Sequence, residues 1–185
     1  MEIIVGVTGA TGVIYAVKLM ETLREFQDVN THLIVSDWAE KNLETETEYT
    51  LNYLKSLASN LYDNNNLGES ISSGSYINDG MVVVPCSMKT LSAVAAGYDD
   101  SLISRAAGVM IKEGRKLVLS VRESPLSPIH LENMLKLSRI GVRILPPMPA
   151  FYSFPESVED IINHHVMKIL DQFGLKYDNA KRWKG

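Results

Sequence analysis

Residues 2–12 read Glu2-Ile3-Ile4-Val5-Gly6-Val7-Thr8-Gly9-Ala10-Thr11-Gly12, an apolar, β-branched run that breaks into a Gly/Thr-rich turn. A helical pattern follows at once: Val13, Ile14, Val17, Met20 and Leu23 recur at three- and four-residue steps, and Lys18, Glu21, Arg24 and Glu25 fill the opposite face. The stretch therefore reads as a buried strand, a tight turn and an amphipathic helix. A helix N-terminus aims free N–H groups and positive partial charge into such a turn, and glycines 9 and 12 let the backbone approach an anion closely. A phosphate-bearing cofactor is the expected occupant. The spacing of Gly6, Gly9 and Gly12 is not the dinucleotide pattern G-x-G-x-x-G, so the turn by itself does not settle the matter.

Working outward, Thr31–Val35 gives a second strand ending at Ser36, followed by a helix from Asp37 to about Thr47 and a short helix capped by Thr50. Residues 62–80 are polar and rich in Asn, Gly and Ser, which predicts a long loop with little regular structure. Met81–Pro85 is a third strand, followed by a small-residue helix through Ala96 and another helix over 100–113. Leu117–Val121 is a fourth strand, closed by Arg122 and Glu123. A helix over 128–137, a fifth strand over 141–145 and a last helix from the Ser157 cap to the Gly174 stop complete the pattern. The polar tail, 175–185, is expected to pack on a neighbour or fray. Strands alternating with helices predict an α/β fold: a doubly wound, mainly parallel sheet in a Rossmann-like or flavodoxin-like three-layer sandwich. In that fold ligands bind beyond the carboxyl ends of the strands, and the chemically capable clusters all follow strand ends.

Composition narrows the function. The 185 residues suit one domain, 1–185, with a full core. A formal net charge of −4 with no basic block argues against nucleic acid, and no apolar run reaches membrane-spanning length. A lone cysteine, Cys86, fits a reducing cytoplasm, and a buried, inert thiol is its expected state. No metal-ligand cluster is expected: His164 and His165 are adjacent, while His32 and His130 stand alone.

With these segments assembled, the chain resembles the flavin prenyltransferase family (UbiX/Pad type), and within it the B subunit of non-oxidative hydroxyarylic (phenolic) acid decarboxylases. The resemblance runs through VTGATGVIYAVKL, ISSGSY, DGMVVVPCSMKTLSAV, RAAGVMIKEGRKLVL, RESPLSPIHLENMLKL, ILPPMPAFY and LDQFG. It implies a metal-independent enzyme that joins the dimethylallyl group of dimethylallyl monophosphate to N5 and C6 of reduced FMN. The product, prenylated FMN, would serve a UbiD-type decarboxylase. A large homo-oligomer is also implied, a dodecamer built from trimers with sites at subunit boundaries.

The resemblance carries roles onto particular residues. Gly9, Ala10, Thr11, Ser36, Ser87, Met88, Lys89, Thr90 and Arg122 match FMN-binding positions. Thr11 stands where serine is usual and keeps the hydroxyl. Ser36, Ser87 and Thr90 can equally serve as helix caps, and Lys89 as a surface lysine. Tyr152 and Lys168 match the residues that hold the dimethylallyl phosphate, because a departing phosphate needs donors and positive charge. Lys112 is a further cation expected there, although Gly114 replaces an arginine found in relatives. Glu46 and Glu123 match carboxylates near the prenyl chemistry, where negative charge stabilises a developing allylic cation.

Three alternatives compete. One is an FMN-carrying accessory subunit without its own catalysis, which would have no use for a second phosphate site. Another is a nucleotide-dependent oxidoreductase, since TGATG also opens short-chain dehydrogenases; those require a Tyr-x-x-x-Lys pair, which is not expected downstream here, and this chain is short for them. The third, direct decarboxylation of a cysteine-type substrate, depends on a histidine motif that His130 does not clearly supply.

Overall fold

The computed structural model describes residues 1–183. Six strands form one sheet, β1 (Glu2–Val7), β2 (Asn30–Val35), β3 (Asn60–Asp63), β4 (Gly80–Cys86), β5 (Leu117–Val121) and β6 (Arg143–Ile144). Their order across the sheet is β3-β2-β1-β4-β5-β6, and every pairing is parallel. Seven helices accompany them: α1 (Ile14–Arg24), α2 (Asp37–Glu46), α3 (Leu51–Ser56), α4 (Met88–Ala96), α5 (Leu102–Lys112), α6 (Pro128–Arg139) and α7 (Val158–Phe173).

The sheet is buried on both faces, which is why its central strands read as continuous apolar runs. Ile3, Val5 and Val7 pack with Val17, Met20, Leu43, Val166 and Ile169 on the side of α1, α2, α3 and α7. Ile4, Met81 and Val83 alternate to the other face, under Leu91, Ile103, Val109 and Leu137 of α4, α5 and α6. Three layers result, as the alternation predicts. Strand order reverses between β1 and β4, so the turns following these two strands diverge to opposite faces and leave a crevice between them.

Two expectations need correction. A sixth strand, β3, begins at Asn60 and takes in the first two residues of the polar run 62–80. It is an edge strand of four residues bonded only to β2, largely exposed, so it carries no apolar signature. The remainder of that segment is also ordered in detail: Ser70–Ser72 form a 3-10 turn around buried Ile71. Arg115 donates to the carbonyls of Gly74 and Tyr76, each at 2.7 Å, and Arg105 to that of Ser72 at 3.2 Å. The tail, as far as Trp183, packs on its own chain: Tyr177 is buried against the α7 side, and Arg182 pairs with Asp171.

Candidate active site

The Thr8 hydroxyl fixes the floor of the crevice. It donates to the Pro85 carbonyl and accepts from the Ser87 amide, both at 2.8 Å, tying the turn after β1 to the turn after β4. Gly9 lies against Trp38, so that a methyl group there would overlap the Trp38 Cβ. The glycine is required by this approach of α2 to the turn.

The first amides of α1, α2, α4 and α5, which begin at this rim, are used differently. Those of α1 are capped by a side chain from α2: Glu46 Oε2 accepts from the Gly12 amide at 2.8 Å and from that of Val13 at 3.4 Å. The α1 N-terminus was expected to face an anion, and the anion it faces is this carboxylate. The first amides of α5 are likewise satisfied, Leu102 and Ile103 by the carbonyl and side chain of Asn64, Ser104 by the Ser101 hydroxyl. In α2 and α4 the capping hydroxyls of Ser36 and Ser87 take only the third amide, from Ala39 and Thr90. Among the described residues nothing accepts from the amides of Asp37, Trp38, Met88 and Lys89.

Two cavities flank the glycine turn. One, about 440 Å³, is lined by Thr8, Gly9, Ser36, Trp38, Ser87, Lys89 and Thr90, the hydroxyl-rich segments where α2 and α4 begin. Lys89, mostly exposed, pairs with Asp100 at 2.6 Å. The other, about 690 Å³, is lined by Thr11, Gly12, Tyr15, Glu46, Arg122 and Glu123 with an apolar wall of Pro146, Pro147, Met148 and Ile162. Glu123 accepts from the Ser124 amide at 2.9 Å. Among the described residues no carboxylate pairs with Arg122. Burial pushes the Tyr15 phenol above its ordinary pKa, against the pull of the Arg122 charge. Behind it, His165 meets the Tyr15 ring edge-on at 4.9 Å and bonds the Ser120 hydroxyl at 2.8 Å.

The structure thus brings Gly9, Thr11, Ser36, Ser87, Lys89, Thr90, Arg122, Glu46 and Glu123 to one rim, with Ala10 and Met88 in the same two turns. Tyr152 and Lys168 lie apart, on the outer side of α7. Tyr152 follows the Pro146–Met148 wall in a 3-10 turn, and its hydroxyl lies 2.9 Å from His164 Nε2. Lys168, one helical turn beyond His164, is 3.7 Å from Asp171. Lys112 is not at this rim at all. It ends α5, which starts at the rim and runs back along the strands, so the lysine sits about 16 Å away at the opposite edge, paired with Glu113 beside Gly74.

Sequence reading missed Thr8, Tyr15, Trp38 and Asn64. Thr8, Trp38 and Asn64 all stand within three residues of a strand end, which is the signal that could have found them. Cys86 is buried, and burial pushes its thiol up to about 12. A Tyr-x-x-x-Lys spacing does occur, at Tyr177 and Lys181. Tyr177 is buried against α7, its hydroxyl donating to Asn163 Oδ1 at 3.2 Å, and lines neither cavity beside the glycine turn.

A doubly wound sheet with anion-receptive turns at its switch point and a second, carboxylate-lined cavity beside them defines a mononucleotide-binding α/β protein. A family model described as Flavoprotein matches residues 1–170, and the chain belongs to that family, in its UbiX/Pad-type branch. It is 55% identical to the flavin prenyltransferase LpdB of Lactiplantibacillus plantarum over 184 residues, covering all of this chain and 98% of that one. It is 49% identical to the mitochondrial flavin prenyltransferase PAD1 of Saccharomyces cerevisiae, covering all of this chain and 76% of the relative. Among solved structures, a dodecameric FMN-dependent UbiX-like decarboxylase from Escherichia coli O157:H7 superposes with a TM-score of 0.99 at 55% identity over the whole of both chains. AnUbiX (PadA1), crystallised in complex with FMN and dimethylallyl pyrophosphate, superposes with a TM-score of 0.97 at 48% identity, over 100% of this chain and 97% of that one. No helix among the described residues is long and apolar enough to cross a membrane.

Proposed function

We infer that the protein is a flavin prenyltransferase: it joins the dimethylallyl group of dimethylallyl monophosphate to N5 and C6 of reduced FMN and hands the prenylated FMN to a UbiD-type decarboxylase of hydroxyarylic acids. The observation that carries this reading is the pair of cavities on one glycine turn, within a chain that matches named flavin prenyltransferases from end to end. The residues present fit FMN. Unused amides of α2 and α4, the Ser36, Ser87 and Thr90 hydroxyls and the Lys89 charge suit its phosphate. Arg122 and the half-apolar wall about Tyr15 suit its ring system. Reduced FMN supplies the nucleophilic nitrogen and carbon.

The chain's own part is electrostatic and steric. Glu46 is held by two backbone amides, and Glu123 by one, so neither needs to reorganise as positive charge grows on an allylic carbon in the cavity that both line. Arg122 stands beside them as a fixed cation for an anionic partner. Pro146, Pro147 and Met148 present an apolar wall on which the dimethylallyl group can pack. Tyr152 and Lys168 serve the donor phosphate, with Lys112 supplied from a neighbouring copy, because its own chain carries it to the far edge. Exposed Met148, Phe151, Phe154 and Val158 beside the cavity give that neighbour an apolar face to cover, and a dodecamer is the assembly proposed. We further propose that residues 1–185 act as a single domain, in the cytoplasm.

The test is to mix purified protein anaerobically with reduced FMN and dimethylallyl monophosphate. A flavin heavier by one prenyl unit is expected, and its extract should activate a UbiD-type apoenzyme. Recovery of unmodified FMN would instead favour the accessory-subunit reading.

A further inference from the structure

The outer stripe of α7 carries more cationic machinery than the residues matched by sequence. His164, Lys168 and Asp171 share that stripe at four- and three-residue steps. The chain beyond Gly174 turns back over them. Arg182 makes two parallel bonds to Asp171, Nη1 to Oδ2 at 3.0 Å and Nη2 to Oδ1 at 2.6 Å. Trp183 meets the Tyr152 ring edge-on, with centroids 5.7 Å apart. Between this returning segment and the 3-10 turn lies a cavity of about 620 Å³ bordered by Tyr152, Ser153, Phe154 and Arg182.

Asp171 stands between two cations, 3.7 Å from Lys168 Nζ and bonded to both arms of the Arg182 guanidinium. The Arg182 bonds hold its carboxyl below the usual carboxylate range, in spite of partial burial. A planar anion gripped by an arginine fork and a lysine is gripped as a phosphoryl group would be. Lys168 alone offers a point charge on a flexible stem; Arg182 adds the oriented pair of donors.

We propose that Arg182 is a further ligand of the donor phosphate beside Tyr152 and Lys168, and that Asp171 competes with the phosphate for both cations. This rests on the reading that places the donor phosphate at Tyr152 and Lys168. The phosphate, carrying more charge than one carboxylate, takes over the donors that Asp171 now holds.

Two substitutions separate this from a structural clip. A clip is broken alike by Arg182→Ala and Asp171→Asn, whereas a ligand and its competitor move the affinity in opposite directions. Inorganic phosphate is titrated calorimetrically into the FMN-loaded oligomer, and KM for dimethylallyl monophosphate is measured beside it. Arg182→Ala should weaken both about tenfold, the loss of one charge-assisted contact, with Arg182→Lys recovering part. Asp171→Asn should tighten both by about threefold. FMN affinity should stay level throughout. Equal weakening by the two variants, no change in either, or phosphate binding indifferent to Lys168→Ala would overturn the proposal. Absence of prenylated flavin from the wild-type assay would fall on the functional reading alone, since the phosphate titration needs no turnover.

Discussion

His165 shows how one buried side chain sets a condition on the whole site. Its ring supports Tyr15, which lines the larger cavity, and its Nε2 lies 2.8 Å from the buried Ser120 hydroxyl on strand β5. Burial, reinforced by the neighbouring His164, lowers its pKa from 6.5 to about 4. The folded chain therefore refuses a proton that the unfolded chain accepts below about 6.5. The stability from neutral His165 is complete above that value and is lost as pH falls toward 4, on the order of 3 kcal/mol over the window. Urea unfolding at pH 7.5 and pH 5 should show the wild type losing about 2 kcal/mol more than a His165→Asn variant, which keeps a polar partner for Ser120 but cannot take the charge. Identical losses would mean that some other group governs acid sensitivity here.

Between elements, the decisive contact is the one from the last turn of α2 to the first turn of α1. Val13, at the α1 N-cap, has no side-chain cap, and Glu46 supplies one from 33 residues away. The same carboxylate faces the cavity, so capping and chemistry are joined in one residue and can be separated by substitution. Glu46→Gln keeps a side-chain acceptor for the Gly12 amide and removes the charge. It should leave the melting temperature within a few degrees while lowering turnover by at least tenfold. Glu46→Ala should add a stability loss of about 1 kcal/mol, as for other helix caps. If the glutamine variant turns over normally, Glu46 is a cap alone. This coupling also marks the limit of sequence reading. The strands β1, β2, β4 and β5 were legible because they are buried on both faces, and Ser36, Ser87 and Ser157 were legible because a cap is local. β3 was not, because Asn60-Leu61-Tyr62-Asp63 makes a short exposed edge with no periodicity to read. The Glu46 cap was invisible for a different reason: a glutamate among several on a polar helix face looks the same wherever its carboxylate lands. The partnership of Thr8 with the β4 turn was hidden likewise, since it joins residues 79 apart.

At the scale of the molecule, the position of Lys112 is the informative fact. A right-handed crossover returns each helix antiparallel to its strands, so a residue at the C-terminal end of α5 must lie at the amino edge of the sheet. The family resemblance put Lys112 at the donor phosphate, and no rearrangement of one chain can take it there without dismantling α5. Its surroundings are nonetheless built with care: Arg105 and Arg115 clamp the carbonyls of residues 72–76 so that Gly74 backs directly onto Lys112 and Glu113. An ordered loop of small residues at the edge of the chain suits a surface on which a second copy rests. If Lys112 acts across that boundary, each site draws Lys168 and Tyr152 from one subunit and Lys112 from another. Lys112→Ala and Lys168→Ala homo-oligomers should then each be nearly inactive. Refolding or co-expressing the two together should restore activity, because some boundaries receive both defects and others neither. With random pairing of two subunits per site, about a quarter of the boundaries would carry both lysines, and recovered activity should approach that fraction of wild type. A site contained within one subunit gives no recovery on mixing, since every chain then carries one lesion. That result would return Lys112 to the role of partner to Glu113 and confine the donor site to α7 and its returning tail.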